Sequence, residues 1–176
     1  MQLHLLLPAL FVAGLLATPA IAQTNAVVAV RGTVEKPLSL SLADLQAMPR
    51  TKLKAVEKDG HEAMFEGVAL FEVVSRARPI LTEHCCSNAI NTVVIIKAAD
   101  NYQALFSLPE LDPKFSEGAI LLADRRDGEP LDSAHAPLQI VVPDDKVHVR
   151  WVRQVNLIEV MPIGDLHPAS TNSTAR

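Results

Sequence analysis

Short apolar stretches alternate with polar segments from residue 26 to residue 161, the pattern expected of a chain with many β-strands. The first stretch, residues 27–34, is rich in β-branched valine. Two further stretches, residues 52–57 and 61–66, flank Asp59-Gly60, a dipeptide that favours a tight hairpin turn. The same pattern predicts strands at residues 92–98, 102–107, 119–123, 138–142 and 148–160.

Three segments have helical rather than strand patterns. Apolar residues at helical spacing predict a helix over residues 68–76. Ser41 and Asp44 have the spacing of a capping box and predict a short helix that ends before Pro49, and Ser107 begins a predicted helical turn. A few short helices among many strands favour a mixed, mainly β domain of the α+β class. The order of elements does not match the regular strand and helix alternation of a doubly wound nucleotide-binding fold.

The last predicted strand, residues 148–160, changes its apolar phase between Trp151 and Ile158. This change indicates a bulge or a pair of residues buried on both faces. Trp151 is the only tryptophan, and it is predicted to fill the core beneath this strand. Charged residues between the predicted strands are interpreted as solvated turns, namely Asp124, Arg125-Arg126, Asp127, Asp144 and Asp145.

The first 22 residues differ from the rest of the chain. Residues 5–16 are almost continuously apolar, and Ala20-Ile21-Ala22 places small residues where a signal peptidase reads them. Prolines interrupt the apolar run, which is shorter than the roughly 20 residues that span a bilayer. We therefore expect a signal peptide at 1–22, a domain at 23–161 and a flexible tail at 162–176. The mature protein is expected to be periplasmic or secreted, with an uncleaved membrane anchor as the alternative.

Composition narrows the function classes. A chain of 176 residues with 49% apolar positions and a net charge of −4 is typical of a globular domain, without the basic character of nucleic-acid-binding proteins. The two cysteines follow each other in His84-Cys85-Cys86, so they cannot staple distant segments. Ordinary loop thiols, a soft-metal site or a redox switch remain open for them. Neither Gly-x-Ser-x-Gly nor His-Glu-x-x-His occurs, so a hydrolase is not indicated.

Several motifs, in their order and spacing, carry a family resemblance. They are Glu66-Gly67-Val68-Ala69-Leu70, Ala99-Asp100-Asn101-Tyr102, Leu121-Leu122-Ala123 with Gly128-Glu129-Pro130-Leu131, Pro137-Leu138-Gln139-Ile140-Val141-Val142-Pro143 and Arg150-Trp151-Val152-Arg153. Together they cover residues 27–160 and resemble the sulfite-oxidase-type molybdopterin-binding domain. The resemblance implies a fold of the sulfite oxidase core type. It also implies an exported relative of oxidoreductases that use molybdenum held by a pterin dithiolene.

The resemblance also shows what this chain lacks. The family's molybdenum-ligating cysteine corresponds to residues 53–57, where no cysteine occurs. A soft thiolate has no substitute among the alanine and valine found there. Gln139 stands where the family has an arginine that helps to hold the cofactor phosphate, and Asp144-Asp145 stands where glycines are usual. A glutamine has no charged fork for phosphate, and two carboxylates would repel it.

This chain has a group of cationic and imidazole side chains near the positions that hold the cofactor in the family. The resemblance implies that the pterin would be held by His135, Lys146, His148 and Arg150. No catalytic residue and no metal ligand is assigned. A haem-binding Cys-x-x-Cys-His is absent, so electron transfer would require a separate protein.

Two function hypotheses follow. In the first, the protein is an exported molybdopterin-dependent oxidoreductase, or a degenerate one. In the second, it is a non-catalytic binding or accessory module that uses the same cleft for a small anion or a periplasmic partner protein. An open, positively lined cleft bounded by Ala55, His135 and Arg150 favours the first, and a cleft filled by Gln139, Asp144 and Trp151 favours the second.

Overall fold

The computed structural model describes residues 25–81 and 87–166, which form a mainly β domain with a few short helices. The expected α+β class is confirmed. The strands are β1 (Ala26–Gly32), β2 (Leu38–Ser41), β3 (Thr51–Val56), β4 (Glu62–Ala69), β5 (Thr92–Ala98), β6 (Gln103–Ser107), β7 (Leu121–Arg126), β8 (Glu129–Pro130), β9 (Gln139–Val141) and β10 (Val155–Pro162). The helices are α1 (Leu42–Gln46), α2 (Leu70–Arg76), α3 (Ser87–Ile90) and α4 (Leu108–Leu111), with 3₁₀ helices at His148–Arg150 and Ile163–Leu166.

Two sheets of five strands each make up the domain. The first sheet has the order β2-β1-β10-β5-β6, and in it β1 runs parallel to β10 while the other pairs are antiparallel. The second sheet has the order β3-β4-β7-β8, and β9 also pairs with β7. Gly32 ends β1 at φ +100°, where an added Cβ would lie 2.0 Å from the Val160 carbonyl oxygen. Only glycine permits this close approach of β1 to β10.

The core lies between the sheets and under α2. The residues expected to face the sheet from α2, including Leu70, Val73 and Val74, are fully buried. Trp151 is also buried, packs edge-on against Phe65 with ring centroids 5.6 Å apart, and donates its indole N–H to the Val142 carbonyl over 3.0 Å. The prediction that this tryptophan fills the core is confirmed.

Several elements lie where local sequence motifs predicted them. The β3–β4 hairpin has the predicted Asp59-Gly60 turn, with Gly60 at φ +88°. The predicted capping box of α1 is present, since the Ser41 side chain accepts the backbone N–H of Asp44. Ser107 begins α4 as predicted, and the structure adds a second capping box there, in which the Ser107 side chain accepts the N–H of Glu110. The strand β2 and the helix α3 were not anticipated from the pattern.

The prediction of one strand over residues 148–160 is wrong. A 3₁₀ helix covers His148–Arg150, an irregular segment follows, and β10 begins only at Val155. Gln154 has φ +52°, outside the range of a regular β-strand. The apolar phase changes because Trp151 and Ile158 belong to different elements. The expected irregularity is nevertheless present, since the register of β10 with β5 shifts between Val155 and Leu157, as it does at a bulge.

The interpretation of several charged residues as solvated turns is also wrong. Asp124, Arg125 and Arg126 lie in β7, and the Asp124 side chain is only 2% exposed and paired with Arg50. Asp145 is half-buried and paired with Arg150. Ionic partners explain these two carboxylates, because a paired charge can be buried where a lone one cannot. Arg50 is 74 positions from Asp124, whereas Arg150 is only five positions from Asp145. Asp127 does form the turn before β8, with φ +51°, and its Oδ1 accepts the Met64 N–H.

Some sequence-based expectations concern residues outside the described ranges. The signal peptide at 1–22 and the segment His84-Cys85-Cys86 are among them. Of the expected tail, residues 162–166 continue as the end of β10 and a 3₁₀ helix, and residues 167–176 are not described. None of the described helices has the length and apolar character needed to cross a membrane.

The Arg50–Asp124 ion pair generates a stability prediction. We expect Asp124→Ala to lower the free energy of unfolding by about 2–3 kcal/mol, because it removes the buried partner of a largely buried guanidinium and leaves it only the 3.4 Å contact with Glu66. Urea unfolding at neutral pH measures the change. Glu117→Ala is the matched control, since Glu117 is exposed and forms no ion pair with a described residue. Equal midpoints for the two variants would show that the ion pair contributes nothing.

Candidate functional site

A cleft of about 400 Å³ opens where the β3–β4 hairpin, the β5–β6 turn and the segment after β9 meet. We call it the main cleft. Imidazole, amide, aromatic and charged side chains all contribute to its walls. Its lining residues are Glu57, Lys58, Ala98, Asp100, Tyr102, His135, Gln139, His148, Val149, Trp151 and Arg153.

His148 is held in the main cleft from two sides. Its Nε2 lies 2.8 Å from the Val56 carbonyl oxygen at the end of β3. Because a carbonyl only accepts hydrogen bonds, Nε2 carries the hydrogen and donates it. The imidazole also packs edge-on against the Trp151 ring, with centroids 4.3 Å apart. The buried tryptophan therefore connects the position of His148 to the core.

His135 lies in the same cleft on the segment before β9. Its Nδ1 lies 2.7 Å from Asp132 Oδ1, which also accepts the backbone N–H of Ala134. The hydrogen bond from His135 is the main reason that the pKa of Asp132 lies below its usual range. The aspartate orients the imidazole, so His135 enters the cleft in a fixed orientation.

Gln139 and Arg153 face each other across an isolated antiparallel bridge. Side chains at directly opposite positions project from the same face, with Cβ atoms about 5 Å apart, and both side chains line the main cleft. The Gln139 side chain forms no hydrogen bond with any described residue, and the same is true of the exposed Arg153 guanidinium. The bridge thus brings two sets of unused N–H donors together.

The other charges of the main cleft are not equivalent. Glu57 is paired with Arg126 from β7, and Asp100 accepts the backbone N–H of Tyr102 over 2.9 Å. Lys58 is exposed and has no carboxylate partner among the described residues. The unpaired charges of the cleft are therefore Lys58 and Arg153 against Asp100, a small excess of positive charge.

Arg150 lies apart from the main cleft. Its Nε and Nη2 donate to Asp145 over 2.9 and 2.6 Å, and its Nη1 donates to Glu110 over 2.6 Å. The guanidinium also lies over the Phe106 ring, 4.9 Å from its centroid. The hydrogen bonds to Asp145, followed by that to Glu110, raise the pKa of Arg150 further above its usual value. The charge of this arginine is fully engaged within the protein.

Lys146 lines a neighbouring cleft of about 570 Å³. This second cleft shares Glu57, Lys58, His148 and Val149 with the main one, so the two clefts are adjacent. Of the four residues that the resemblance implied, the structure therefore brings His135 and His148 together and places Lys146 next to them. It sets Arg150 apart.

The residues that sequence reasoning passed over are Lys58, Tyr102 and Arg153. Two of them stand in the motifs that carried the resemblance, but nothing in those motifs distinguishes Arg153 from Arg150. The expected boundary of the cleft also differs from the observed one. Ala55 is buried within β3, and Asp144 lies in the small pocket beside Arg150, while Gln139 and Trp151 do line the main cleft.

Comparison with known proteins bears on the fold. No family model matches this chain, and no curated protein matches it. The crystal structure of the sulfane dehydrogenase SoxCD from Paracoccus pantotrophus matches with a TM-score of 0.61 and 20% sequence identity. The fold is sulfite-oxidase-like. The match covers 78% of this chain but only 38% of that chain, so the likeness concerns one part of the larger protein.

The donor set of the site can be tested against the molybdenum cofactor that the resemblance implies. In the family that the sequence resembles, a cysteine thiolate ligates molybdenum, and β3 carries a buried alanine and no cysteine at the corresponding residues. Among the described residues, no group of His, Cys, Asp and Glu could hold a metal ion. Arg150 is held by two carboxylates, and Gln139 carries no charge for a phosphate. The side chains of the described residues do not fit this cofactor.

The contrast between the two arginines generates a prediction. Arg150→Met should lower the free energy of unfolding by about 1–2 kcal/mol, because it removes charge-assisted hydrogen bonds and leaves two carboxylates near each other. Arg153→Met should change it by less than about 0.5 kcal/mol, since this side chain is exposed. Chemical denaturation of both variants measures the difference. A larger loss of stability in Arg153→Met than in Arg150→Met would show that Arg153, and not Arg150, is the arginine engaged within the protein.

The Asp132–His135 pair generates a pH prediction. A carboxyl whose pKa is lowered by folding stabilises the folded state at neutral pH, and this stabilisation is lost as the pH falls through that pKa. In His135→Ala the pKa of Asp132 should return towards the usual range, as measured by NMR titration of the carboxyl carbons. Asp44, whose pKa is lowered by Ser41, is an internal control and should not change. An unchanged Asp132 would exclude the imidazole as the cause.

Proposed function

We propose that this protein is a non-catalytic binding module, exported to the periplasm or secreted, that holds a small anion in the main cleft. The observation that carries the proposal is the pairing of Gln139 with Arg153 across an antiparallel bridge, with donors that no described residue uses. Lys58 adds a second unpaired cation at the same cleft.

The chemistry of these groups suits an anion. A guanidinium presents N–H donors in a planar fork that matches the oxygens of a carboxylate, sulfate or phosphate. The Gln139 amide adds neutral N–H donors beside it. Glu57 does not oppose binding strongly, because Arg126 neutralises it. The walls therefore favour negative charge without requiring a metal.

A molybdopterin-dependent oxidoreductase is the second candidate. The sulfite-oxidase-like fold and the position of His135 in the main cleft support it. The donor set argues against it, since the thiolate is lacking and Arg150 is engaged elsewhere. Elemental analysis for molybdenum, with pterin fluorescence after denaturation, tests this candidate on protein from a host that makes the cofactor. Near-stoichiometric metal and pterin would favour it over the binding module.

If the main cleft holds a small anion, anion binding should be detectable by NMR. Acetate, sulfate and phosphate, titrated at constant ionic strength, should shift the backbone amide resonances of Gln139 and Arg153 in NMR spectra. Arg153→Gln should weaken binding of the best of these anions about tenfold or more, because a hydrogen bond to a charged group is worth about 1.5–3 kcal/mol.

Arg31→Gln is the matched control for this titration. Arg31 is exposed on β1 and lines neither of the two clefts. The control should therefore bind as the unaltered protein does. If none of the three anions moves these resonances, or if Arg153→Gln binds as tightly as the control, the proposal fails.

A further inference from the structure

The residues that line the two clefts beyond Gln139 and Arg153 indicate which class of ligand binds there. We propose that the ligand is an organic anion, a carboxylate or a related acid that carries an apolar group, rather than an inorganic oxyanion. This inference rests on the proposed function, because it assigns the chemistry of the anion that the main cleft holds.

The first observation is that the binding surface continues past the main cleft. The main cleft and its neighbour share Lys58, His148 and Val149, so the two clefts adjoin at the 3₁₀ helix, and the proposed ligand contacts both there. Their volumes are about 400 and 570 Å³. A tetrahedral oxyanion has a volume well below either value and would occupy only one end of this space.

The second observation is an apolar wall at the shared boundary. Val147, Val149 and Val56 are 65%, 60% and 49% exposed, and all three line the second cleft. Tyr102 adds a half-exposed ring to the main cleft, and its hydroxyl donates to the Val149 carbonyl over 2.6 Å. Exposed apolar side chains scattered singly need no explanation, but several around one cleft mark a surface that a ligand covers.

The third observation is the distribution of charge around this wall. Lys58 and Lys146 lie beside the valines and have no carboxylate partner among the described residues. The carboxylates that line the second cleft, Glu57 and Asp145, are each paired with an arginine. Unpaired cations next to an exposed apolar surface are complementary to a molecule that combines negative charge with an apolar group.

Other classes of ligand would contact only part of this surface. An inorganic oxyanion would contact the donors of Arg153 and Gln139 but leave the valines in water. A neutral apolar molecule would cover the valines but leave the cations uncompensated. An organic anion satisfies both parts at once, because its charged end lies against Arg153 and its apolar end covers Val147 and Val149.

A series of carboxylates of increasing chain length tests the inference. Acetate, butyrate and hexanoate are titrated at constant ionic strength, with neutral hexanamide as the uncharged comparison and amide NMR shifts as the readout. Each fully buried methylene contributes about fourfold in affinity. Because the valine wall is open to solvent on one side, we expect hexanoate to bind at least about tenfold more tightly than acetate, and hexanamide to bind more weakly than hexanoate.

A double variant tests where the apolar part binds. In Val56→Ser with Val147→Ser, at two residues that line only the second cleft, acetate binding should stay as in the unaltered protein, while the preference for hexanoate should fall at least about threefold. Leu105→Ser is the control, because Leu105 is 46% exposed on β6 and lines neither cleft. The control should keep the full preference for hexanoate over acetate. Equal unfolding midpoints of the two variants exclude a general loss of structure.

The outcomes separate this inference from the proposed function. If acetate and hexanoate bind equally, or if the double variant keeps the full preference, the organic-anion inference is overturned and the anion site stands. If no anion of either series binds, the proposed function itself fails. If hexanamide binds as tightly as hexanoate, charge plays no part, and both proposals are overturned.

Discussion

The burial of Trp151 is the constraint on which the candidate site depends. Its ring packs against Phe65 in the core, and its indole N–H satisfies the Val142 carbonyl, so the chain cannot follow a straight strand at this point. The residues before it form a 3₁₀ helix, and the residues after it turn through Gln154 before β10 begins. These two bends place His148 on one side of the tryptophan and Arg153 on the other, both at the main cleft. A buried aromatic side chain thereby positions polar groups that lie at the surface.

Charge pairing then decides which ionic groups remain accessible. Around the two clefts, Arg126 neutralises Glu57, and Arg150 pairs with both Asp145 and Glu110, a cluster that keeps one negative charge. Lys58, Lys146 and Arg153 have no such partners among the described residues. A chain with a net charge of −4 therefore presents a locally positive surface. The net charge gave no reason to expect a nucleic-acid partner, and it gave no indication of this local excess.

The fold and the chemistry of the site support different conclusions. The sulfite-oxidase-like fold agrees with the motifs that run from residue 66 to residue 153. A fold can persist while its site changes, because packing residues and site residues satisfy different constraints. Here the buried apolar motifs match those of the family that the sequence resembles, whereas β3 has no thiolate and Gln139 stands where that family has an arginine. The ligand of the main cleft is therefore better inferred from the N–H donors that line it than from the fold.

Local interactions explain what the sequence by itself determined. The β3–β4 hairpin, the capping box of α1, the start of α4 and the apolar face of α2 depend on residues a few positions apart, so the pattern alone predicted them, together with the mainly β class. Only the tertiary structure decided the roles of Arg150 and Arg153. Both belong to one short motif, but Glu110 and Asp145 lie against the first and no described carboxylate pairs with the second. Glu110 is 40 positions away along the chain, and only folding brings it within reach.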